Sequence, residues 1–164
     1  VGAQMYYSLL GRDIEHEFVP FIEDAGIGIL VWSPLASGFL TGKYTRDMPV
    51  PEDARRHKFQ FPPIDLEKGY GVVDALQQIA QAREASPAQI AIAWILTKPF
   101  ISSVIIGANK MHQLEDNLGS VNLKLSVQEV EQLDRLTAPQ PLYPGWMQGM
   151  GWDAKVKAAL ESQS

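Results

Sequence analysis

Cysteine is absent from this 164-residue sequence, and so are long apolar runs and any stripe of basic residues. Without cysteine there is no disulfide framework and no thiolate chemistry. No apolar run approaches the roughly 20 residues that a membrane-spanning helix requires, and no signal peptide is recognisable at the start. We therefore expect a cytoplasmic protein without a membrane span, and we predict no metal site.

The formal net charge of −5 at pH 7 argues against nucleic acid as a partner, because phosphate backbones attract surfaces rich in Lys and Arg. The basic cluster from Arg55 to Lys58 is interpreted as part of a solvated loop. A chain of this length is expected to form one domain that buries roughly 70% of its unfolded surface. The sequence begins with Val1 inside an apparent strand and without Met, which predicts a piece of a longer protein.

The stretch from Ile27 to Tyr44 organises the rest of the chain. Its first half, an apolar run up to Trp32, predicts a fully buried strand of a parallel sheet. The second half is rich in glycine and hydroxyl residues and carries Lys43. It either forms an ordinary turn or presents backbone N–H groups to an anion at the carboxyl end of the strand. A nucleoside-triphosphate loop is excluded, because too few residues separate Gly38 from Gly42 and no Ser or Thr follows the lysine.

Hydrophobic spacing and capping signals predict alternating strands and helices along the rest of the chain. Two further strands are predicted at Val1–Tyr7, where Gln4 is expected to be buried and hydrogen-bonded, and at Ser102–Ile106. The first predicted helix runs from an Asp13 cap to Gly26, with Ile14, Phe18, Phe21, Ile22 and Ala25 inward. A second covers Gly71–Ala85, and a third runs from the Ser86 capping box to a stop before Pro99. A fourth follows Lys110 with Met111, Leu114 and Leu118 inward, and a fifth follows the Ser126 capping box with Val130, Leu133 and Leu136 inward.

Two segments show no regular pattern. Thr45–Gly69 is long and rich in proline, and such loops in compact domains are usually functional or disordered. The tail from Pro139 to Trp152 is rich in Pro, Gly, Met and Trp, and a short helix is predicted around Val156–Leu160.

Helical crossovers make the three strands parallel, as in part of a barrel or of an open doubly wound sheet. No G-x-G-x-x-G turn follows a strand, which weakens the dinucleotide-fold alternative. The helix that follows Gly107 to Lys110 offers its N-terminus as a second predicted anion site.

Several segments together resemble the aldo-keto reductase family in their order and spacing. They are Gln4 with Tyr6 to Leu10, Trp32 to Tyr44, Ser86 to Gln89, and Ile106 to Ala108 with Gln113 to Asn117. The sequence is most similar to the long-loop bacterial members and to the channel β-subunits. The resemblance implies an α/β fold, namely a partial (β/α)8 TIM barrel with strands six to eight and their helices. This half-barrel would occupy residues 1–138, followed by a tail at 139–164.

The resemblance also implies a cleft for NADP(H), on which both predicted anion sites fall. Gln4 would hydrogen-bond the nicotinamide amide, and Trp32 would stack on the nicotinamide ring. The remaining implied contacts are Ser33, Pro34, Leu35, Ser37, Gly38 and Lys43 along the pyrophosphate, Arg55 or Arg56 as a further phosphate contact, Gly107, Asn109 and Lys110 near the 2′-phosphate, and Gln113, Asp116 and Asn117 near the adenine. Asp116 stands where the family often has Glu.

The family's catalytic Asp, Tyr, Lys and His belong to early strands that this sequence lacks. His16, His57 and His112 lie in the wrong elements to replace them. The resemblance therefore implies the NADP(H)-binding half of an oxidoreductase that interconverts carbonyls and alcohols, inactive alone. The alternative is a non-catalytic nucleotide-binding or regulatory half-barrel. Because three strands leave two open sheet edges, we expect a homodimer or binding to the missing N-terminal half.

Overall fold

The computed structural model describes residues 2–48 and 61–147. They form a three-stranded parallel sheet and helices, in the predicted order of strand, helix, strand, helix, helix, strand, helix, helix. The strands are β1 (Gly2–Tyr6), β2 (Gly28–Trp32) and β3 (Ile101–Val104). The helices are α1 (Phe18–Ala25), α2 (Leu66–Arg83), α3 (Pro87–Leu96), α4 (Met111–Gly119) and α5 (Val127–Thr137).

Strand β2 is the centre of the sheet, with β1 and β3 on either side. Its residues alternate in burial: Ile29 and Val31 are fully buried, whereas Leu30 and Trp32 on the opposite face are half-buried. The prediction of a fully buried strand is therefore wrong for one face. The sequence did not reveal this asymmetry, because a strand with one open face is recognised by alternating polar residues, and this run has none.

The main core lies between one face of the sheet and the helices. Helix α3 is apolar on nearly every side, and Ile90, Trp94 and Ile95 are fully buried there, as predicted. Leu76 of α2 and Leu133 of α5 join the same cluster. Burying a side chain of this size contributes about 1.5–3 kcal/mol to the free energy of unfolding. The core therefore holds the strands in place, and with them the starting points of the loops at their ends.

Local signals placed several helix ends correctly. Ser86 and Ser126 each form the predicted capping box, and Gly26 ends α1 with a left-handed φ of 63°. Helix α2 begins at Leu66, earlier than the predicted Gly71, because the Asp65 carboxylate accepts the backbone N–H of Lys68 at 3.2 Å and caps it. The irregular segment is correspondingly shorter.

The start of the first helix was predicted wrongly. Asp13 does not cap it: Asp13–Glu15 form a short 3-10 helix, and α1 begins at Phe18. The carboxylate of Glu15 is taken by two bonds from the Arg12 guanidinium, each 2.8 Å long. Arg12 is held in turn by Asp134 and Thr137 near the end of α5, so tertiary contacts override the local capping signal.

Several side chains predicted to be inward or buried are exposed. Each helix turns a partly different face to the core than the spacing predicted. The buried residues are Val19 and Ile22 in α1, Asn117 in α4, and Leu133 and Thr137 in α5. The exposed residues are Gln4, Phe21, Ala25, Met111, Leu118 and Leu136.

Arg12 ties the segment after β1 to the far end of the chain. Its Nη1 donates to the Thr137 hydroxyl at 2.8 Å and to the Asp134 carbonyl at 3.0 Å, while Nε and Nη2 hold Glu15. Tyr7 completes this group by donating its hydroxyl to Glu15. Burial, reinforced by that hydrogen bond, raises the pKa of Tyr7 well above its ordinary value. The phenol therefore stays protonated and acts as a donor.

No helix within residues 2–48 and 61–147 is long and apolar enough to cross a membrane. Residues 140–147 of the predicted tail are exposed, and the rings of Tyr143 and Trp146 lie 6.4 Å apart. Val1, Arg55, Arg56, His57 and the predicted helix at Val156–Leu160 lie outside the described residues.

Candidate functional site

A cavity of about 1110 Å³ lies beyond the carboxyl ends of β2 and β3. The loop after β2 forms one wall, and the loop after β3 with the first turns of α4 forms the other. Most of the predicted cofactor residues meet here, although they come from distant parts of the sequence: Ser33, Pro34, Leu35, Ser37, Gly38, Lys43, Gly107, Asn109, Gln113, Asp116 and Asn117.

The loop after β2 has an unusual backbone. Ser33, Ala36 and Ser37 all have positive φ, at 53°, 48° and 54°, and Gly38 follows at 81°. A left-handed conformation costs a non-glycine residue about 1–2 kcal/mol, so the surroundings must hold it. Ala36 is fully buried, and the N–H of Ser37 donates to the Ser33 hydroxyl at 3.2 Å. The loop is a fixed, turned backbone at the rim of the cavity.

Lys43 brings a positive charge to this wall. Its ammonium would lie 3.4 Å from a Cβ placed on Gly38, and it lies 4.8 Å from the centroid of the Tyr44 ring. The absence of a side chain at Gly38 thus leaves the ammonium close to the turned backbone. A cation beside such a backbone attracts an anion.

The opposite wall carries neutral and acidic polar groups. The backbone N–H of Asn109 donates to the side-chain carbonyl of Gln113 at 3.2 Å, which joins the loop after β3 to the first turn of α4. Asp116 and Asn117 follow one turn later. The two walls therefore differ in charge: one has a cation, and the other has amides and a carboxylate.

Ser86, at the start of α3, links this helix to α4 beside the cavity. Its hydroxyl accepts the N–H of Gln89 at 3.1 Å and donates to the Asp116 carboxylate at 2.6 Å. Gln89 adds a bond from its side-chain amide to the Asp116 carbonyl at 2.9 Å. The N-terminus of α3 thereby fixes the position of α4.

The cavity wall in the described structure lacks three predicted residues, Gln4, Trp32 and Lys110. Gln4 lies on β1 and is exposed, and Lys110 is the residue that precedes α4. Arg56 lies outside the described residues. Trp32 is stacked against Phe61, whose ring is nearly parallel to it at 11° with 5.7 Å between centroids. Phe61 lines the cavity instead.

The sequence interpretation missed several wall residues as site residues: Thr41, Tyr44, Phe61, Ser86, Ala88, Ile105, Ile106, Ala108 and His112. Some were within reach of sequence reasoning. Ser86 caps a helix, and Ile105 to Ala108 continue a strand toward an edge that was already predicted to bind an anion. Phe61 gave no such signal, because its position depends on tertiary contacts of a long loop.

The described residues hold no group of three or more His, Cys, Asp or Glu side chains that could bind a metal ion. The cavity instead offers backbone groups, hydroxyls, amides, one lysine, a histidine and the Asp116 carboxylate. Such groups bind and orient an elongated polar ligand with an anionic portion.

Comparison with known proteins identifies the family of this chain. The model of the aldo/keto reductase family matches residues 1–138. The chain is 34% identical over 140 residues to the L-glyceraldehyde 3-phosphate reductase of Escherichia coli K12, covering 80% of this chain and 40% of that protein. It is 34% identical over 145 residues to a protein of Oryza sativa subsp. japonica named "Probable voltage-gated potassium channel subunit beta", covering 84% of this chain and 44% of that protein.

A solved structure, that of the glycerol dehydrogenase of Gluconobacter oxydans, matches with a TM-score of 0.66 and 27% identity. The match covers 87% of this chain and 45% of the dehydrogenase. The chain thus spans less than half the length of each of these relatives. The family match nevertheless extends over most of its residues, and the chain belongs to the aldo/keto reductase family of oxidoreductases, which generally use NAD(P)H.

Proposed function

We propose that this chain is the NADP(H)-binding half of an aldo-keto reductase-type oxidoreductase that interconverts carbonyls and alcohols, and that it is inactive alone. One observation carries the proposal: residues implied as cofactor contacts, from the two distant stretches 33–43 and 107–117, surround a single cavity.

The chemistry of the cavity fits a dinucleotide. Lys43 and the turned backbone from Ser33 to Gly38 suit the pyrophosphate, since a cation and fixed backbone groups stabilise an anion. The N-terminus of α4 suits a second phosphate. Gln113 and Asn117 can hydrogen-bond an adenine or ribose. When bound, the cofactor supplies a hydride, while the residues of this chain bind it and orient it.

The half-barrel interpretation accounts for the architecture. Three parallel strands cannot close a barrel, and we assign them to strands six to eight of the family's eight. Leu30 and Trp32, half-buried on the second face of β2, would then face the barrel interior. An N-terminal half-barrel, or a second copy of this chain, is the expected partner.

The alternative function is a non-catalytic nucleotide-binding or regulatory module. The similarity to a protein named as a potassium channel β-subunit favours it, since that name does not describe an enzyme. Both functions use the same cavity. An activity assay distinguishes the two functions once the chain is paired with an N-terminal half-barrel. The enzyme should then turn over substrate, whereas a non-catalytic module should not.

Calorimetric titration with NADPH tests the proposal. Lys43→Ala should weaken binding by about 10- to 150-fold, because a hydrogen bond to a charged group contributes about 1.5–3 kcal/mol. Lys124→Ala is the matched control, since Lys124 is also exposed but lies away from this cavity. If Lys43→Ala binds as tightly as Lys124→Ala, the cavity is not the cofactor site.

A further inference from the structure

The aromatic rings beside the cavity form a row. Phe61 stacks on Trp32 with centroids 5.7 Å apart, and Tyr6 lies against the same indole at 5.2 Å with a tilt of 36°. Phe61 forms part of the cavity wall, and Trp32 does not. From the cavity, a flat ligand ring therefore reaches Phe61 before it reaches the indole.

Phe61 is also linked to the turned loop. The Ser37 hydroxyl donates to the Phe61 carbonyl at 2.6 Å. A serine hydroxyl has one proton to donate. An anion that recruits this proton must therefore break the bond to Phe61, so occupation of the loop and the position of Phe61 are coupled.

We propose that Phe61 determines which ligands this cavity accepts. It occupies the place on Trp32 that a planar ligand ring would take, and it leaves that place when an anionic group engages Ser37. This inference rests on the proposed nucleotide function. It predicts that ligands with both a phosphate and a flat ring bind well, whereas a flat ring without phosphate competes poorly with Phe61.

The exposure of Phe61 makes the exchange feasible. Its side chain is 45% exposed, so the ring can leave Trp32 without opening the core. The stacking of such an aromatic pair changes the equilibrium constant between the stacked and the separated rings by a factor of about 2 to 10. Removing the ring should therefore improve stacking of a ligand by a similar factor.

The first experiment compares the 164-residue chain with its Phe61→Ala variant by calorimetry. We expect NADPH and nicotinamide mononucleotide to bind about 2- to 10-fold more tightly to the variant. Adenosine 2′-monophosphate, which lacks both the nicotinamide and the pyrophosphate, should bind equally to both proteins. Phe21→Ala removes another exposed phenylalanine, from α1, and should change none of these affinities.

The second experiment tests the coupling through Ser37 with inorganic pyrophosphate as the anion. Pyrophosphate should increase the quenching of Trp32 fluorescence by acrylamide, because Phe61 no longer covers the indole. Subtracting the signal of Trp32→Phe isolates this tryptophan from Trp94 and those of the tail. In Phe61→Ala the indole is already uncovered, so pyrophosphate should have no further effect.

The outcomes separate the two proposals. If adenosine 2′-monophosphate binds but Phe61→Ala leaves or weakens the affinity for nicotinamide mononucleotide, this inference is overturned and the nucleotide function stands. If pyrophosphate leaves the quenching of Trp32 unchanged, the coupling is overturned. If neither NADPH nor adenosine 2′-monophosphate binds any of the proteins, the proposed function fails, and this inference fails with it.

Discussion

Replacing Ser86 by alanine removes the hydroxyl that joins α3 to α4. The loss of the helix cap costs about 1 kcal/mol. The loss of the 2.6 Å bond to Asp116 adds about 1.5 kcal/mol, the lower end for a charged partner because this carboxylate is only half-buried. We expect the free energy of unfolding to fall by about 2.5 kcal/mol in Ser86→Ala.

Urea denaturation followed by far-ultraviolet circular dichroism measures this difference. Ser126→Ala is the matched control, because it removes the equivalent cap of α5 without affecting Asp116, and it should cost about 1 kcal/mol. A double-mutant cycle with Asp116→Ala should give a coupling energy of about 1–1.5 kcal/mol between the two side chains.

The position of α4, and with it one wall of the cavity, depends on this bond. If Ser86→Ala is no more destabilising than Ser126→Ala, or if the cycle shows no coupling, the Ser86 hydroxyl acts as a cap alone and does not position α4. A weaker affinity for NADPH in Ser86→Ala should accompany the stability loss when the bond holds Asp116 in place.

Three further predictions concern activity, pH and assembly. The isolated chain should show no aldehyde reduction with NADPH in a steady-state assay, and turnover abolished by mutating one of its own residues would contradict this. The bonds from Arg83 lower the pKa of Glu129 to about 2, so Glu129 stabilises the fold above an unfolded pKa of about 4.5 and loses that contribution as pH falls toward 2. Glu129→Gln keeps a capping acceptor for the Ser126 N–H. It should be less stable than the parent at pH 7 and equally stable below pH 2. A difference in stability that does not change with pH would refute the ion pair. Sedimentation at micromolar concentration should show self-association through the open sheet edges. A compact monomer that binds no hydrophobic dye would contradict this prediction.

The sequence predicted the fold where the signals are local. The capping boxes at Ser86 and Ser126 place two helix starts, since a hydroxyl three residues before Gln or Glu satisfies backbone groups within one turn. The order of strands and helices followed from hydrophobic spacing. Asp13 failed as a cap, because residues far along the chain fix the preceding Arg12, and no local pattern reveals such a partner.

The candidate site was predictable in its location more than in its details. Carboxyl ends of parallel strands meet at one edge, so Ser33 and Gly107 were expected to lie together. The left-handed backbone at Ala36 had no sequence signal, because an alanine does not favour it and only packing enforces it. The same holds for Phe61, whose contact with Trp32 depends on the path of a long loop.

The anchoring of Arg12 also has a consequence for synthesis. Thr137 lies 125 positions further along the chain, and at roughly 5–20 residues per second the ribosome needs about 6–25 s to reach it. During that interval the Arg12 guanidinium cannot make its bonds to the last helix. Among the described elements, strand β1 therefore emerges from the ribosome first and is one of the last to be secured.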